Sequence, residues 1–245
     1  MIVDLFNQIL FVPIFNFLVW LYNILPGGDF GVAIIVLTLV VRLLLYPLAQ
    51  KGIRSQKALS ELQPQIKTVQ QKYKNSKEKQ AQELMKLYKE RGVNPASGCL
   101  PLIIQFPILI ALFQVLRRGL NPETLQFLYP LVQNPQTINP MFLGLINLAV
   151  GSIFLAVLAG LTQFVQSKMI LPKKIPGQQT GRSDFASMMS KQMVYTMPVI
   201  TVLIAARFPA GLALYWTVNN LFTIFQQYLI IKKKKNGESP NKTNN

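Results

Sequence analysis

Residues 38–48 of the chain read TLVVRLLLYPL. Arg42 stands inside an apolar run that begins near Gly31 and ends near Pro47. A cation at the centre of a membrane helix costs about 2.5–3.5 kcal/mol on insertion scales. The surroundings of this run therefore decide what the chain is and what the arginine serves.

The 245 residues are 51% hydrophobic, with a mean hydropathy of +0.32. That is too apolar for an ordinary soluble domain of this length. Apolar stretches long enough to cross a bilayer recur along the chain, which predicts an all-α integral membrane protein. We read five spans, at 31–49, 98–117, 142–166, 189–206 and 209–231. Around Arg207, Phe208 and Pro209 the last two should turn back on each other as a tight hairpin. The net charge of +16 comes from 25 Lys and Arg against 9 Asp and Glu. With a single cysteine, Cys99, and no histidine, an internal disulfide, a His-based metal site and a Ser-His-Asp triad are excluded.

The positive charge is unevenly placed. Residues 50–96 hold eleven Lys or Arg and four Glu, whereas 1–30 and 119–141 hold no Lys or Arg. The positive-inside rule puts 50–96, 167–188 and the tail after Ile231 in the cytoplasm, with the N-terminus outside and the C-terminus cytoplasmic. Arg117, Arg118 and Arg207 near outer ends are mild exceptions.

Residues 1–28 form a segment of their own. Asp4, Asn7, Gln8, Asn16 and Asn23 fall on one half of a helical wheel. We read a helix lying in the outer interface in preference to a sixth span. Residues 29–231 form the five-span core. Within it, 50–96 reads as two amphipathic helices folded into a cytoplasmic hairpin. Leu59, Leu62, Ile66, Val69 and Tyr73 form one stripe. Ala81, Leu84, Met85, Leu87 and Tyr88 form the second, between a capping-box start at Asn75 and Glu78 and a stop at Gly92. The hairpin either packs on itself or serves as a basic arm toward a partner or the lipid surface. Residues 167–188 read as a flexible loop, and 232–245 as a basic, disordered tail.

None of the nine acids lies within a proposed span, so Arg42 has no intramembrane counter-ion from its own chain. It lies roughly 10 Å from the cytoplasmic end of its helix at 1.5 Å per residue. It could snorkel to lipid phosphates, or face a hydrated cavity open to the cytoplasm. Other polar groups favour the cavity. Thr38 shares the face of Arg42, and Gln105, Gln163, Tyr215, Trp216, Asn219 and Asn220 interrupt other spans. No nucleophile-and-base pair and no Gly-rich phosphate loop is present, so no enzyme activity, cofactor or small-molecule substrate is expected.

Two stretches are more specific: VNPASGCLPLIIQFPILIALF at 93–113 and FPAGLALYWTVNNLFTIFQQYLI at 208–230. With VRLLLYPL at 41–48 and LQPQIKTVQQKY at 62–73, they closely resemble the YidC family of membrane-protein insertases, whose relatives are the Oxa and Albino proteins. The resemblance implies five spans around a hydrophilic groove, open to the cytoplasm and to lipid and closed outward. It implies a plasma-membrane insertase and folding chaperone that moves short polar tails of nascent membrane proteins through the groove while the guest helix partitions into lipid. By this resemblance the groove residues are Arg42, Thr38, Gln105, Tyr215 and Trp216, with Gln163 a looser match. The partners it implies are nascent membrane proteins and the bilayer, and it leaves the ribosome and the Sec translocon open. Neither the large outer domain nor the lipid-attachment cysteine of some family members is expected, and Lys232 to Lys235 suit a topological anchor better than a ribosome site. A small-solute channel and a groove-free assembly factor are the rival classes.

Overall fold

The structure is a computed structural model describing residues 2–98, 100–118, 122–171 and 185–235. It is mostly helical: α1 Ile2–Phe6, α2 Val12–Ile24, α3 Phe30–Leu44, α4 Tyr46–Lys72, α5 Lys77–Glu90, α6 Leu100–Arg118, α7 Ile153–Ile170, α8 Phe185–Ala205 and α9 Ala210–Lys235. A π-helical turn, Asn7–Phe11, joins α1 to α2. Strands β1 Met141–Phe142 and β2 Ile146–Asn147 form a small antiparallel hairpin.

Three helices start together at one end. The N–H groups of Ala210 and Gly211 would be orphans at the start of α9. They donate instead to the carbonyls of Val150 (2.8 Å) and Leu148 (3.1 Å), just before α7. At the start of α3, Gly31 lies under the Phe142 ring of β1, where any side chain would collide. Thus α3, α7 and α9 run the same way. The return path is α6, whose Leu116 packs near its end against Gly211, and α8, which lies against α7 at Gly160. The core gathers toward the shared starting end: Phe15 and Leu18 of α2, Phe30, Ala33 and Ile34 of α3, Leu112 and Leu116 of α6, and Leu212 to Tyr215 of α9. Segments 45–98 and 232–235 lie at the opposite end, with most of the Lys and Arg.

Several boundaries differ from the sequence reading. The run 31–49 is not one straight helix: α3 stops at Leu44, and α4 leaves at 72°. Leu45 adopts φ −86° and ψ 2°, and Pro47 in the first turn of α4 has no N–H with which to continue the ladder. The third apolar helix begins at Ile153 rather than near 142, because residues 141–147 turn back as the β-hairpin. The reading of 167–188 as loop fails at both edges, where α7 runs to Ile170 and α8 starts at Phe185; residues 172–184 lie outside the described residues. Lys232–Lys235, read as the start of a disordered tail, are helical, and the tail beyond Lys235 also lies outside the described residues.

By length and apolarity alone, Asp4–Ile24 and Ile153–Ile170 can each cross a membrane, and the bent pair α3–α4 would make a third. The other elements read as spans do not meet that measure among the described residues. Helix α9 is interrupted by Asn219, Asn220, Gln226 and Gln227, and the apolar stretch Val194–Ala205 of α8 is shorter than a span.

The polar stripe of the N-terminal helix has a protein partner. Asn16 is buried and donates to the Phe127 carbonyl (3.0 Å) while accepting from the Tyr129 N–H (2.6 Å). Asn23 donates to the Gln133 carbonyl (2.6 Å). Near the start of this stretch Phe11 meets Phe127 edge to face.

The hairpin of α4 and α5 turns at residues 73–76. Helix α5 is preceded by Ser76, one residue later than the capping-box start read at Asn75, and Ser76 makes no capping bond. Gly92 has φ 61° and ends the arm. Of the two helices, α4 is docked: Ile53, Leu62 and Ile66 are buried, and Ser60 donates to the Ile170 carbonyl at the end of α7 (2.6 Å). No residue of α5 is buried.

Candidate functional site

Four of the polar residues that interrupt the apolar helices, Arg42, Gln105, Tyr215 and Asn219, meet where α3, α6 and α9 come together. Arg42, near the end of α3, donates from Nε to Oδ1 of Asn219 on α9 (2.5 Å). One turn earlier on α9, Tyr215 receives a hydrogen bond at its phenol oxygen from the Gln105 amide of α6. Arg42 also lies within electrostatic range of the Tyr215 phenol. One turn beyond Asn219, the Thr223 hydroxyl donates to the Asn219 carbonyl (2.8 Å), and Gln226 donates to the Tyr46 carbonyl at the α3–α4 bend (3.2 Å). Residues 215, 219, 223 and 226 step by four, four and three, so they lie along one face of α9.

The electrostatics follow from the partner of Arg42. Asn219 is a neutral amide. It orients the guanidinium without cancelling its charge. The charge is held at one nitrogen, and among the described residues no hydrogen bond occupies either Nη group. Arg42 is half-buried. It can therefore offer its outer N–H groups to an anionic group that approaches from outside the fold, with bidentate geometry suited to a carboxylate.

The other predicted residues stand differently. Thr38 is on the face of Arg42 but is 1% exposed, and its hydroxyl donates back to the Ile34 carbonyl (2.6 Å). It is a packed residue of the α3 wall. Gln163 has a buried Oε1 without a partner, and Trp216 is half-buried. Among the described residues no hydrogen bond ties either to Arg42, Gln105 or Tyr215. Asn220 faces α7, where its amide reaches the Ala159 carbonyl and the Thr162 hydroxyl, each at 3.3 Å.

Sequence reasoning missed the lower half of this polar seam. Gln226 and Gln227 are almost wholly buried, and amide atoms of both lack partners. Buried amides without protein partners are the atoms that bound water satisfies. The four-four-three spacing from Tyr215 was the available signal. Among the described residues no group of three or more His, Cys, Asp or Glu could hold a metal ion.

The 60Kd inner membrane protein family model matches residues 20–238. The chain is 38% identical over 206 residues to the membrane protein insertase YidC of Fusobacterium nucleatum, covering 84% of this chain and 88% of that one. It is 39% identical over 219 residues to YidC 1 of Listeria monocytogenes serotype 4b, covering 88% and 68%. Its similarity to YidC of Aquifex aeolicus is 36% over 96% of this chain but only 42% of the longer one. Among solved structures, a crystal structure of an active YidC insertase with its first transmembrane domain resolved superposes with a TM-score of 0.58 at 28% identity. That match covers 91% of this chain and 46% of the solved chain.

Proposed function

The chain belongs to the 60Kd inner membrane protein family, that of the YidC insertases, and on that premise we propose that it inserts nascent membrane proteins into the cell membrane. In this reading α3, α6, α7, α8 and α9 cross the bilayer, and the end bearing most of the Lys and Arg is cytoplasmic. The N-terminal helix lies on the outer side. Its contacts from Phe11 to Asn23 with residues 127–133 support that placement, since they run along the helix rather than at one end.

Arg42 with its neutral partner is the observation that carries the mechanism. A guest helix with a short acidic tail must bring carboxylates across hydrocarbon, where an unpaired charge is strongly disfavoured. Arg42 stands partway along that route with an uncancelled charge in a region of low dielectric, where Coulomb attraction is strengthened. The unpartnered buried amides of Gln226, Gln227 and Gln163 add polar groups to an otherwise apolar region beside that route. The tail dwells at Arg42, and the apolar guest helix moves into lipid because burial in hydrocarbon is favourable. No covalent step is needed, and the ribosome and the Sec translocon are candidate suppliers of the guest.

The test is insertion into liposomes holding only the purified protein, scored by protease protection of a single-span guest. Arg42→Ala should abolish insertion of guests with acidic tails, Arg42→Lys should retain it, and neutral tails should escape the dependence. Equal insertion by Arg42→Ala overturns the role given to the charge. No insertion by the unaltered protein overturns the insertase reading for the protein acting alone.

A further inference from the structure

The outer hairpin carries a feature that the insertion mechanism does not use. Its turn is closed by the Leu145 N–H donating to the Phe142 carbonyl (3.0 Å). Both residues between them have positive φ, 50° for Leu143 and 69° for Gly144. Glycine adopts such angles freely, and asparagine or aspartate tolerates them. A leucine there is strained. Burial does not offset the strain, because Leu143 is 63% and Leu145 82% exposed.

The strained turn is held firmly. One carboxylate oxygen of Asp29 accepts from the Val32 N–H (2.9 Å) and caps α3, while the other accepts from the Leu143 N–H itself (2.5 Å). Beneath the turn the Phe142 ring lies on Gly31. The fold thus spends a buttress on presenting two leucines away from the protein. Backbone strain of this kind, over-determined by its surroundings, points to a use for the side chain.

The surroundings specify the partner. From Thr124 to Ser167 no residue is charged. Further along the chain Val150, Ile153 and Phe154 are also exposed and lead into α7, a helix long and apolar enough to cross a membrane. A tip that is apolar and uncharged apart from the Asp29 carboxylate tying its turn, and that leads along the chain into such a helix, fits the boundary between headgroups and acyl chains. We propose that Leu143 and Leu145 form a lipid wedge seated in the membrane interface beside the start of α7. The assignment of that interface to the outer leaflet rests on the orientation proposed above.

A nitroxide at position 145 tests this. The full chain, carrying Cys99→Ser and Leu145→Cys, is spin-labelled and placed in phospholipid nanodiscs, where both faces meet solvent. Relaxation by oxygen, which concentrates in lipid, is compared with relaxation by a water-soluble nickel chelate. Oxygen should be the stronger relaxer. Adding Leu143→Asn, which suits the turn, should keep the hairpin folded while shifting the label toward the chelate. Dominance of the chelate in the parent overturns the proposal in favour of a water-facing tip. Weak relaxation by both overturns it in favour of a protein-covered tip. An unchanged label in Leu143→Asn overturns the part assigned to Leu143. The readout does not involve insertion of a guest, so its failure is distinct from failure of the insertase reading.

Discussion

Arg42 and Asn219 are 177 positions apart in the chain and 2.5 Å apart in the fold, with Nε donating to Oδ1. An amide is the partner that orients a guanidinium and leaves its charge intact. Asn219→Asp, nearly the same size, should create an ion pair and cancel that charge. The protein should fold, yet insert acidic-tailed guests as poorly as Arg42→Ala in the liposome assay. Asn219→Leu should instead leave the half-buried Nε unpaired, costing about 1–3 kcal/mol of stability in denaturant titration.

Gln105 and Tyr215 join α6 to α9. Tyr215→Phe removes the phenol oxygen and leaves the amide without its acceptor. A double-mutant cycle with Gln105→Leu should give a coupling of about 0.5–1.5 kcal/mol, with the double variant less destabilised than the sum of the singles.

At the opposite end of α3, Asp29 holds two N–H groups with one carboxylate. Asp29→Ala should lose the cap and the hairpin tie together, at about 1–2 kcal/mol. Hydrogen exchange should rise at Leu143 and Val32 before it rises in the core. Gly31→Ala should be more severe, because its methyl meets the Phe142 ring. Phe142→Ala in the same chain should restore part of the loss.

Helix α4 is docked and α5 is not. Replacing residues 74–92 with a Gly-Ser linker long enough to return from Tyr73 to Asn94, which docks beside Ser55 roughly 27 Å back along α4 at 1.5 Å per residue, should therefore leave the melting temperature almost unchanged. Ser60→Ala, which frees α4 from the Ile170 carbonyl, should lower stability by about 0.5–1.5 kcal/mol and increase hydrogen exchange along α4.

The sequence exposed what is local. Arg42, Gln105 and Tyr215 were visible because each breaks an apolar run, and the arms of the hairpin because their stripes recur every three or four residues. Pairings were not visible: nothing near position 42 encodes position 219. Thr38 shares the face of Arg42, but facing cannot tell a wall residue from a lining residue, and its hydroxyl turns back to its own helix. The apolar composition of FLGLINLAV at 142–150 predicts a helix. Gly144 and the Asp29 buttress make it a hairpin, and the buttress lies more than a hundred positions away.

The bend at Leu45 has a consequence for the lipid around it. Helix α3 has 15 residues, so it extends about 22 Å at 1.5 Å per residue, against a hydrocarbon thickness of roughly 30 Å. Past Leu45 the chain turns aside by 72°, and the largely polar, basic helix that follows adds little apolar length to that span. If α3 crosses the bilayer as proposed above, the membrane around it is mismatched and adapts by thinning locally, at a cost of fractions of a kcal/mol per ångström. On that proposal the guest meets a barrier already lowered, as a property of the membrane that the short helix deforms.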